Sequence, residues 1–207
     1  MHWANDAADV RRIVIEIARQ YHVTRVAKVK SMVSEELELN DALRDAGITA
    51  LETDLGEYIV QLDGSRPSHM TNPALHMTAE TGTLVLVTNE GNGRMCTTLP
   101  PVHVAIVGIE KVIPDWNSAA ILLQLLARSA TGQRITSYTT FLTGTRDTGP
   151  REFHLVLLDN GRTRILQDER ARETLLCIRC GACANICPVF SQVGGHAYGW
   201  AYSAISG

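Results

Sequence analysis

Four of the five cysteines lie within eleven residues, at positions 177, 180, 183 and 187, and a proline follows the last of them. The spacing C-x2-C-x2-C-x3-C-P lets a short backbone wrap around a cubane, so that Cys177, Cys180 and Cys183 reach three irons of one [4Fe–4S] cluster. Gly181 allows a tight turn close to the inorganic sulfides. Zinc and uncommitted thiols are the alternatives, but structural zinc sites usually join two separated pairs of Cys or His residues. The run therefore predicts an iron–sulfur segment.

The last cysteine of the run raises a question of ligand count. In two-cluster ferredoxins the fourth cysteine of such a run binds the other cluster, and this sequence has no second run of that spacing. We therefore expect Cys187 to bind iron of a second cluster, whose other ligands belong to a longer form of the protein. The fourth ligand of the first cluster stays open. Cys96 is expected to be a half-buried strand residue, with a missing ligand or a reactive thiol as the alternatives.

The composition of the whole chain is that of an ordinary globular protein. Hydrophobic residues make up 45% and charged residues 20% of the sequence, which excludes a disordered or fibrous chain. The net charge of −3 provides no general basic field for nucleic acid. Because no apolar run reaches about 18 residues and the N-terminus lacks a signal-peptide pattern, we expect no membrane span and a cytoplasmic protein.

Strand-like and helix-like segments alternate along the first four-fifths of the chain. Ser34 is expected to cap a helix that ends near Gly47, and Asn117 or Ser118 is expected to cap another. The glycine-rich stretch 89–93 predicts a turn, from which 94–98 returns as the second strand of a hairpin. Apolar residues at helical spacing are found at 10–18 and 118–126, a short charged helix is expected at 168–176, and strand patterns occupy 25–29, 48–52, 84–88, 103–109, 137–142 and 153–158.

This alternation predicts the fold class and the domain boundary. Strands that alternate with helices favour a three-layer α/β domain with a mainly parallel sheet. We place this domain at residues 1–167, because the apolar strands stop there. Residues 168–207 are then the ferredoxin-like iron–sulfur segment.

Charged residues at a strand-to-helix junction are candidates for anion binding. Lys28, Lys30 and Ser31 lie where a predicted strand is followed by a helix N-terminus, and backbone N–H groups and a lysine there can bind a carboxylate or a phosphate. The alternative is that these lysines are solvated surface residues.

Acidic residues at other strand ends are candidates for proton transfer. Glu80 precedes the strand 84–88, and Asn89 and Glu90 follow it; either acid could serve as a base near a substrate if its pKa is raised, and ordinary turn chemistry is the alternative. Three further acids, Glu52, Asp54 and Glu57, lie at another strand end, and the last two share a face only if Leu55 begins a helix. The sequence assigns no catalytic base.

Longer stretches of sequence carry a resemblance to a known family. They lie at 30–36, 52–57, 67–69, 79–94, 97–103, 128–133, 155–162, 177–188 and 194–200. Together they resemble the lactate-utilisation iron–sulfur proteins, the LutB-like proteins with a LUD domain. The resemblance implies a fold similar to CoA-transferases and sugar-phosphate isomerases. It also implies an electron-transfer subunit of a flavin-independent complex that oxidises L-lactate to pyruvate, with two sibling subunits: a cysteine-rich iron–sulfur protein and a second LUD-domain protein.

The chain also departs from the family pattern. Family members begin further upstream, are longer at the C-terminus and carry a second cysteine run there. They also have an additional helical segment between 73–76 and 79–82. We therefore expect a fragment or an internally shortened form, and a second [4Fe–4S] cluster only in the full-length protein.

Two other classes of function stay open. The α/β domain could bind a small organic acid or a phosphate, with a cluster that is structural or redox-sensing. It could also be a stand-alone enzyme similar to CoA-transferases or isomerases, with an accessory cluster. A nicotinamide enzyme is disfavoured, because no G-x-G-x-x-G fingerprint follows the first strand.

Overall fold

The computed structural model describes residues 1–65, 73–145 and 147–198, without the side chain of His196. The family-like stretch 67–69 and the last two residues of the stretch 194–200 lie outside the described residues. The described strands are β1 (His2–Ala4), β2 (Arg25–Lys28), β3 (Thr49–Glu52), β4 (Ala74–Thr78), β5 (Leu84–Thr88), β6 (Val102–Gly108), β7 (Val112–Ile113), β8 (Tyr138–Leu142) and β9 (Glu152–Leu158).

Helices connect most of these strands. In the part of the chain that the structure describes, three short 3-10 helices cover Ile109–Lys111, Arg172–Leu176 and Gly195–Tyr198. The described α-helices are α1 (Ala7–Gln20), α2 (Met32–Glu36), α3 (Leu39–Asp45), α4 (Leu55–Asp63), α5 (Gly91–Thr98), α6 (Trp116–Thr131), α7 (Arg162–Gln167), α8 (Ala182–Ile186) and α9 (Pro188–Val193).

The strands form three sheets with mainly parallel pairing. The first sheet has the order β1-β9-β6 and is fully parallel, and the second pairs β2 with β3 in parallel. The third has the order β7-β4-β5-β8, in which β5 runs antiparallel to both of its neighbours. The predicted α/β class with mainly parallel strands is confirmed, although the strands are divided among three sheets rather than joined in one.

The main apolar core lies between α1 and the parallel strands. Helix α1 begins at the cap residue Asp6, whose side chain accepts a hydrogen bond from the Asp9 backbone N–H. Its apolar residues recur at helical spacing and are buried, together with residues from α3 and β9. The fully buried members of this core include Val10, Leu37, Leu43, Val156 and Leu158.

Two helix starts differ from the predictions. The cap of α2 is Ser31 rather than Ser34, and its side chain accepts a hydrogen bond from the Ser34 backbone N–H at 3.3 Å. The expected single helix is divided into α2 and α3, because Glu38 adopts a left-handed backbone conformation between them. Helix α6 is capped by Asp115, one turn before the predicted helical pattern.

The predicted hairpin after β5 is wrong. The residues from Gly91 to Thr98 form helix α5 instead of a turn and a second strand. Gly93 packs so tightly against Thr88 that a Cβ there would lie 3.1 Å from the Thr88 methyl carbon. This glycine therefore permits close helix–strand packing rather than a turn. Cys96 lies on this helix rather than on a strand, is partly buried, and has its sulfur 3.5 Å from Thr53 Oγ1.

The expected charged helix at 168–176 is shorter than predicted. Only Arg172–Leu176 is helical, and it forms a 3-10 helix. Two of its apolar residues, Leu175 and Leu176, are not buried, so no apolar face stabilises a longer α-helix there.

Candidate iron–sulfur site and neighbouring cavities

The cysteine run is built from short turns. Cys177 ends the 3-10 helix Arg172–Leu176, and Gly181, with a φ of +76°, begins α8. Cys187 precedes α9, and Pro188 occupies the first position of that helix, where its missing N–H costs nothing. The Phe190 backbone N–H donates to Cys187 Sγ at 3.4 Å, and this hydrogen bond lowers the pKa of the Cys187 thiol. The thiolate form required of a metal ligand is therefore favoured at Cys187.

The donor set fits an iron–sulfur cluster. All four cysteines are free and partly accessible, and thiolates are the ligands that hold such clusters. Cys177, Cys180 and Cys183 would hold the first cluster, and Cys187 would be its fourth ligand or belong to a second cluster.

The run is docked on the α/β domain by apolar and polar contacts. Ile178 and Cys180 pack against an apolar group formed by β5 and α6, which includes Val85, Val87 and Leu126. Asn185 Nδ2 donates to the Ser129 carbonyl at 2.9 Å. The segment therefore rests on the carboxyl-terminal half of the α/β domain.

A buried lysine also reaches the run from the α/β domain. Lys111 directly follows β6 on the 3-10 helix Ile109–Lys111 and is 7% exposed. Its Nζ donates to the Cys177 carbonyl at 2.7 Å. Burial lowers the pKa of Lys111 to about 8, and the positive charge of Arg179 acts in the same direction.

A buried ionic network lies beside this lysine. Arg162 Nε lies 2.5 Å from Glu110 Oε2, and Arg162 Nη2 lies 3.0 Å from Glu36 Oε2. Arg179, within the cysteine run, lies 4.0 Å from Glu110. A Cβ at Gly108 would clash with the Glu110 carboxylate and the Arg162 guanidinium, so glycine at the end of β6 makes room for the network.

A small cavity of about 110 Å³ is lined by residues of β5 and α6 and by Arg179 of the cysteine run. Its lining includes three residues predicted from the sequence, Lys30, Asn89 and Glu90, and one that was missed, Arg179. Lys30 Nζ lies 3.1 Å from Asp54 Oδ2 and 3.2 Å from Glu90 Oε1. Burial alone would lower the pKa of Lys30, but hydrogen bonds and charges from the two acids raise it above its usual value. Arg179 was missed because it lies between two cysteines of the run, and the spacing of the cysteines does not indicate where the side chains between them lie.

Ser31 and Glu80 do not line the small cavity. Ser31 lines a larger, mainly apolar cavity of about 530 Å³ between α1, β2 and β6, and Lys30 lines both cavities. Glu80 is exposed in the turn between β4 and β5, at the opposite end of β5 from Asn89 and Glu90. The predicted set of five residues is therefore brought together only in part.

At the end of the second sheet, a cluster of glutamate carboxylates lies around a lysine. Parallel pairing aligns Lys28 with Glu52, and their side chains lie 2.7 Å apart. Glu35 approaches Lys28 Nζ at 3.7 Å. The carboxylates of Glu35, Glu52 and Glu57 offer oxygens within 4.8 Å of one another. Because three acids surround Lys28, this lysine provides no free positive charge for an anion.

The glutamates of this cluster affect the pKa of Glu57. Leu55 does begin a helix, with Asp54 as the cap, and this helix positions Glu57. Burial raises the pKa of Glu57 to about 7, and the charges of Glu52 and Glu35 add to the effect. Sequence reasoning identified two of the three acids as strand-end residues and missed Glu35, although its position in the first turn after β2 was a usable signal.

These features define a class of protein. A mainly parallel α/β domain carries a docked segment with the thiol set of a ferredoxin, which is the architecture of an iron–sulfur protein. Within the described residues, no helix combines the length and apolar character needed to cross a membrane. The LUD domain family matches residues 74–165, and the 4Fe-4S binding domain family matches residues 173–190. The chain belongs to the LUD-domain family of lactate-utilisation iron–sulfur proteins.

Curated relatives cover nearly the whole chain. The "Uncharacterized electron transport protein YkgF" of Escherichia coli (strain K12) is 42% identical over 98% of this chain and 54% of its own length. "Lactate utilization protein B" is 40% identical in Shouchella clausii and 37% identical in Bacillus subtilis (strain 168), over 98% of this chain and 54% and 53% of those proteins. No solved structure matches the chain significantly.

The relatives are longer than this chain within the matched region as well as overall. The chain spans about half the length of the curated relatives it matches. The alignment with the Escherichia coli protein extends over 255 positions, against 207 residues here. The matched region of that relative therefore contains inserted residues, as expected for an internally shortened form.

Proposed function

We propose that the protein is the iron–sulfur electron-transfer subunit of a complex that oxidises L-lactate to pyruvate. The observation that carries the proposal is the contact between the cysteine run and a small cavity that has Lys30 and Arg179 in its lining. One residue of the run itself therefore faces the space where a small carboxylate can bind. The words "electron transport" and "lactate utilization" in the names of the relatives support the same function.

The binding chemistry of this cavity suits a three-carbon hydroxy acid. Lys30 and Arg179 offer charged donors for a carboxylate. Lys30 pairs with two acids, Asp54, which is largely buried, and Glu90, which is 45% exposed. An incoming carboxylate can displace Glu90 while Asp54 stays paired with Lys30. Thr88 and Thr136 bring hydroxyl groups to the same wall. These residues would bind and orient the substrate; Ser31 and Glu80 are not part of this site.

Oxidation of lactate releases more electrons than a single [4Fe–4S] cluster can accept at once. A bound [4Fe–4S] cluster stores and passes one electron at a time, whereas oxidation of a 2-hydroxy acid to a 2-oxo acid releases two electrons and two protons. We therefore propose a second [4Fe–4S] cluster in the full-length form, with Cys187 as one of its ligands. We also propose the two sibling subunits, a cysteine-rich iron–sulfur protein and a second LUD-domain protein, as partners.

Binding experiments test the carboxylate site. Calorimetry on anaerobically reconstituted protein should show that L-lactate binds, that Lys30→Met weakens its binding about tenfold or more because a charge-assisted hydrogen bond is lost, and that Glu80→Gln has no effect. Equal affinity of all three proteins would show that lactate does not bind in this cavity.

A redox experiment tests the electron-transfer role separately. The protein is mixed with the two sibling subunits, and L-lactate is added under anaerobic conditions. A reduced-cluster signal in the electron paramagnetic resonance spectrum supports the proposed function. Ligand binding with a cluster that stays oxidised would instead favour the organic-acid-binding module with a structural or sensing cluster.

A further inference from the structure

Lys111 carries a buried charge that forms no ion pair with an acidic side chain of the described residues. It is 7% exposed, and its Nζ has its hydrogen bond to a carbonyl, that of Cys177. Among the ion pairs of the described residues, none joins Lys111 to an Asp or Glu within 4.0 Å. Lys28 is buried to the same degree but pairs with Glu52 at 2.7 Å. Burial of an ion without a counter-charge costs free energy. A negatively charged group close to Lys111 would therefore stabilise its charged form.

No acid among the described residues is dedicated to Lys111. The negative charges of Glu110 and Cys177 favour the charged lysine, and the positive charges of Arg179 and Arg162 oppose it. Burial lowers the pKa of the neighbouring His76 to about 4, so this histidine is neutral at pH 7. Glu110 and Glu36 are engaged by Arg162, and Arg179 approaches Glu110 as well. The two acids are therefore shared with arginines, whereas the hydrogen bond of Lys111 goes to the Cys177 carbonyl, next to the thiol that would bind iron.

A thiolate-bound [4Fe–4S] cluster is an anion, and reduction adds one more negative charge to it. We propose that Lys111 is the counter-charge of the cluster held at Cys177, and that it raises the cluster's reduction potential. The α/β domain thereby tunes the electron affinity of the segment docked on it. Nearby charge and hydrogen bonds to the ligands are established means of setting such potentials. Lys111 is a positioning residue, and this inference rests on the iron–sulfur assignment rather than on lactate as substrate.

Redox titration followed by electron paramagnetic resonance tests the proposal on the full, anaerobically reconstituted chain. Lys111→Met should shift the potential to a lower value, because the reduced state loses more stabilisation than the oxidised state. Lys111→Arg should keep the wild-type value. The matched control is Lys28→Met, which removes a buried lysine paired with an acid and should leave the potential unchanged; exposed Arg12→Met is a second control. A wild-type potential in Lys111→Met overturns the proposal.

Stability of the cluster-free protein separates this role from a merely structural one. Without a cluster, Lys111→Met should melt no lower than the wild type, because it removes an uncompensated buried charge. If Lys111→Met assembles no cluster while Lys111→Arg does, the counter-charge is supported. If both variants fail and both also melt lower without the cluster, Lys111 is a structural residue and the proposal is wrong.

Discussion

The α/β domain and the cysteine segment differ in what holds them together. The domain buries large side chains completely, among them Leu37, Leu43 and Leu158. In the described part of the segment, residues 168–198, only Gly181 and Ala184 are buried, while Ile186 is 85% exposed. The domain thus has an apolar core of its own, whereas the segment depends on ligation and docking. Metal ligation supplies folding free energy directly in such small units.

Removal of the cluster should produce the largest difference between the two regions. Chelation of iron should abolish amide-exchange protection across 177–193, because these residues have few buried apolar contacts. Helix α1 and strand β9 should stay protected by their own core. Hydrogen exchange measured by mass spectrometry with and without cluster checks this. Unchanged protection across 177–193 would show that the segment folds without a ligand.

A core truncation should affect the α/β domain next most strongly. Leu43→Ala leaves a cavity beneath α1 and should lower the free energy of unfolding by about 2–5 kcal/mol, measured by chemical denaturation. Leu176→Ala, on a side chain that is 78% exposed, is the matched control and should cost less than about 0.5 kcal/mol. Similar losses in both variants would mean that the two regions do not differ in packing.

The pH dependence of the unfolding free energy should also arise from the α/β domain. The pKa of Glu57 in the folded protein is about 7, above the ordinary value of 4.5, so the folded state binds this proton more tightly than the unfolded state. The stabilising contribution is complete below about pH 4.5 and is lost as the pH rises through 7. Relative to Glu57→Gln, the wild type should lose on the order of 1–3 kcal/mol of unfolding free energy between pH 5 and 8.

The control for this titration is Glu16→Gln, which replaces an exposed acid on α1 and should keep the wild-type profile. Parallel profiles for the wild type and Glu57→Gln would place the pKa of Glu57 near its ordinary value.

The smallest effect is expected at the fifth cysteine. Cys96→Ser changes one partly buried atom on α5 and should alter stability by less than about 1 kcal/mol. Iron content should stay at the wild-type level, because Cys96 lies on the domain and outside the run. A fall in iron content would identify Cys96 as a missing cluster ligand.

The sequence predicts the fold where a local pattern decides the structure. The apolar period of α1 and the apolar runs of β5, β6 and β9 led to the correct elements, because the residues of these patterns are largely those that the fold buries. The stretch 91–98 was misread because the contact between Gly93 and Thr88 depends on packing between a strand and a helix. No local pattern encodes that contact.

The residues of the candidate site could likewise be predicted only where a local sequence pattern identifies them. The cysteine run is a local motif, so its four ligands could be named from the sequence. Lys30, Asn89 and Glu90 were found because they follow the predicted strands that became β2 and β5. The pairing of Lys28 with Glu52 depends on the register of two parallel strands. Lys111 belongs to no motif, and only its contact with Cys177 reveals it.

The iron–sulfur assignment is tested most directly by electron paramagnetic resonance with iron and sulfide analysis on anaerobically reconstituted protein. Wild-type protein should give a reduced-cluster signal and contain at most one cubane's iron and sulfide per chain. Cys180→Ser should lose the signal while the α/β domain stays folded. Two full cubanes per chain would contradict the predicted ligand count. Absence of iron in the wild type, with zinc or nothing bound, would contradict the assignment itself.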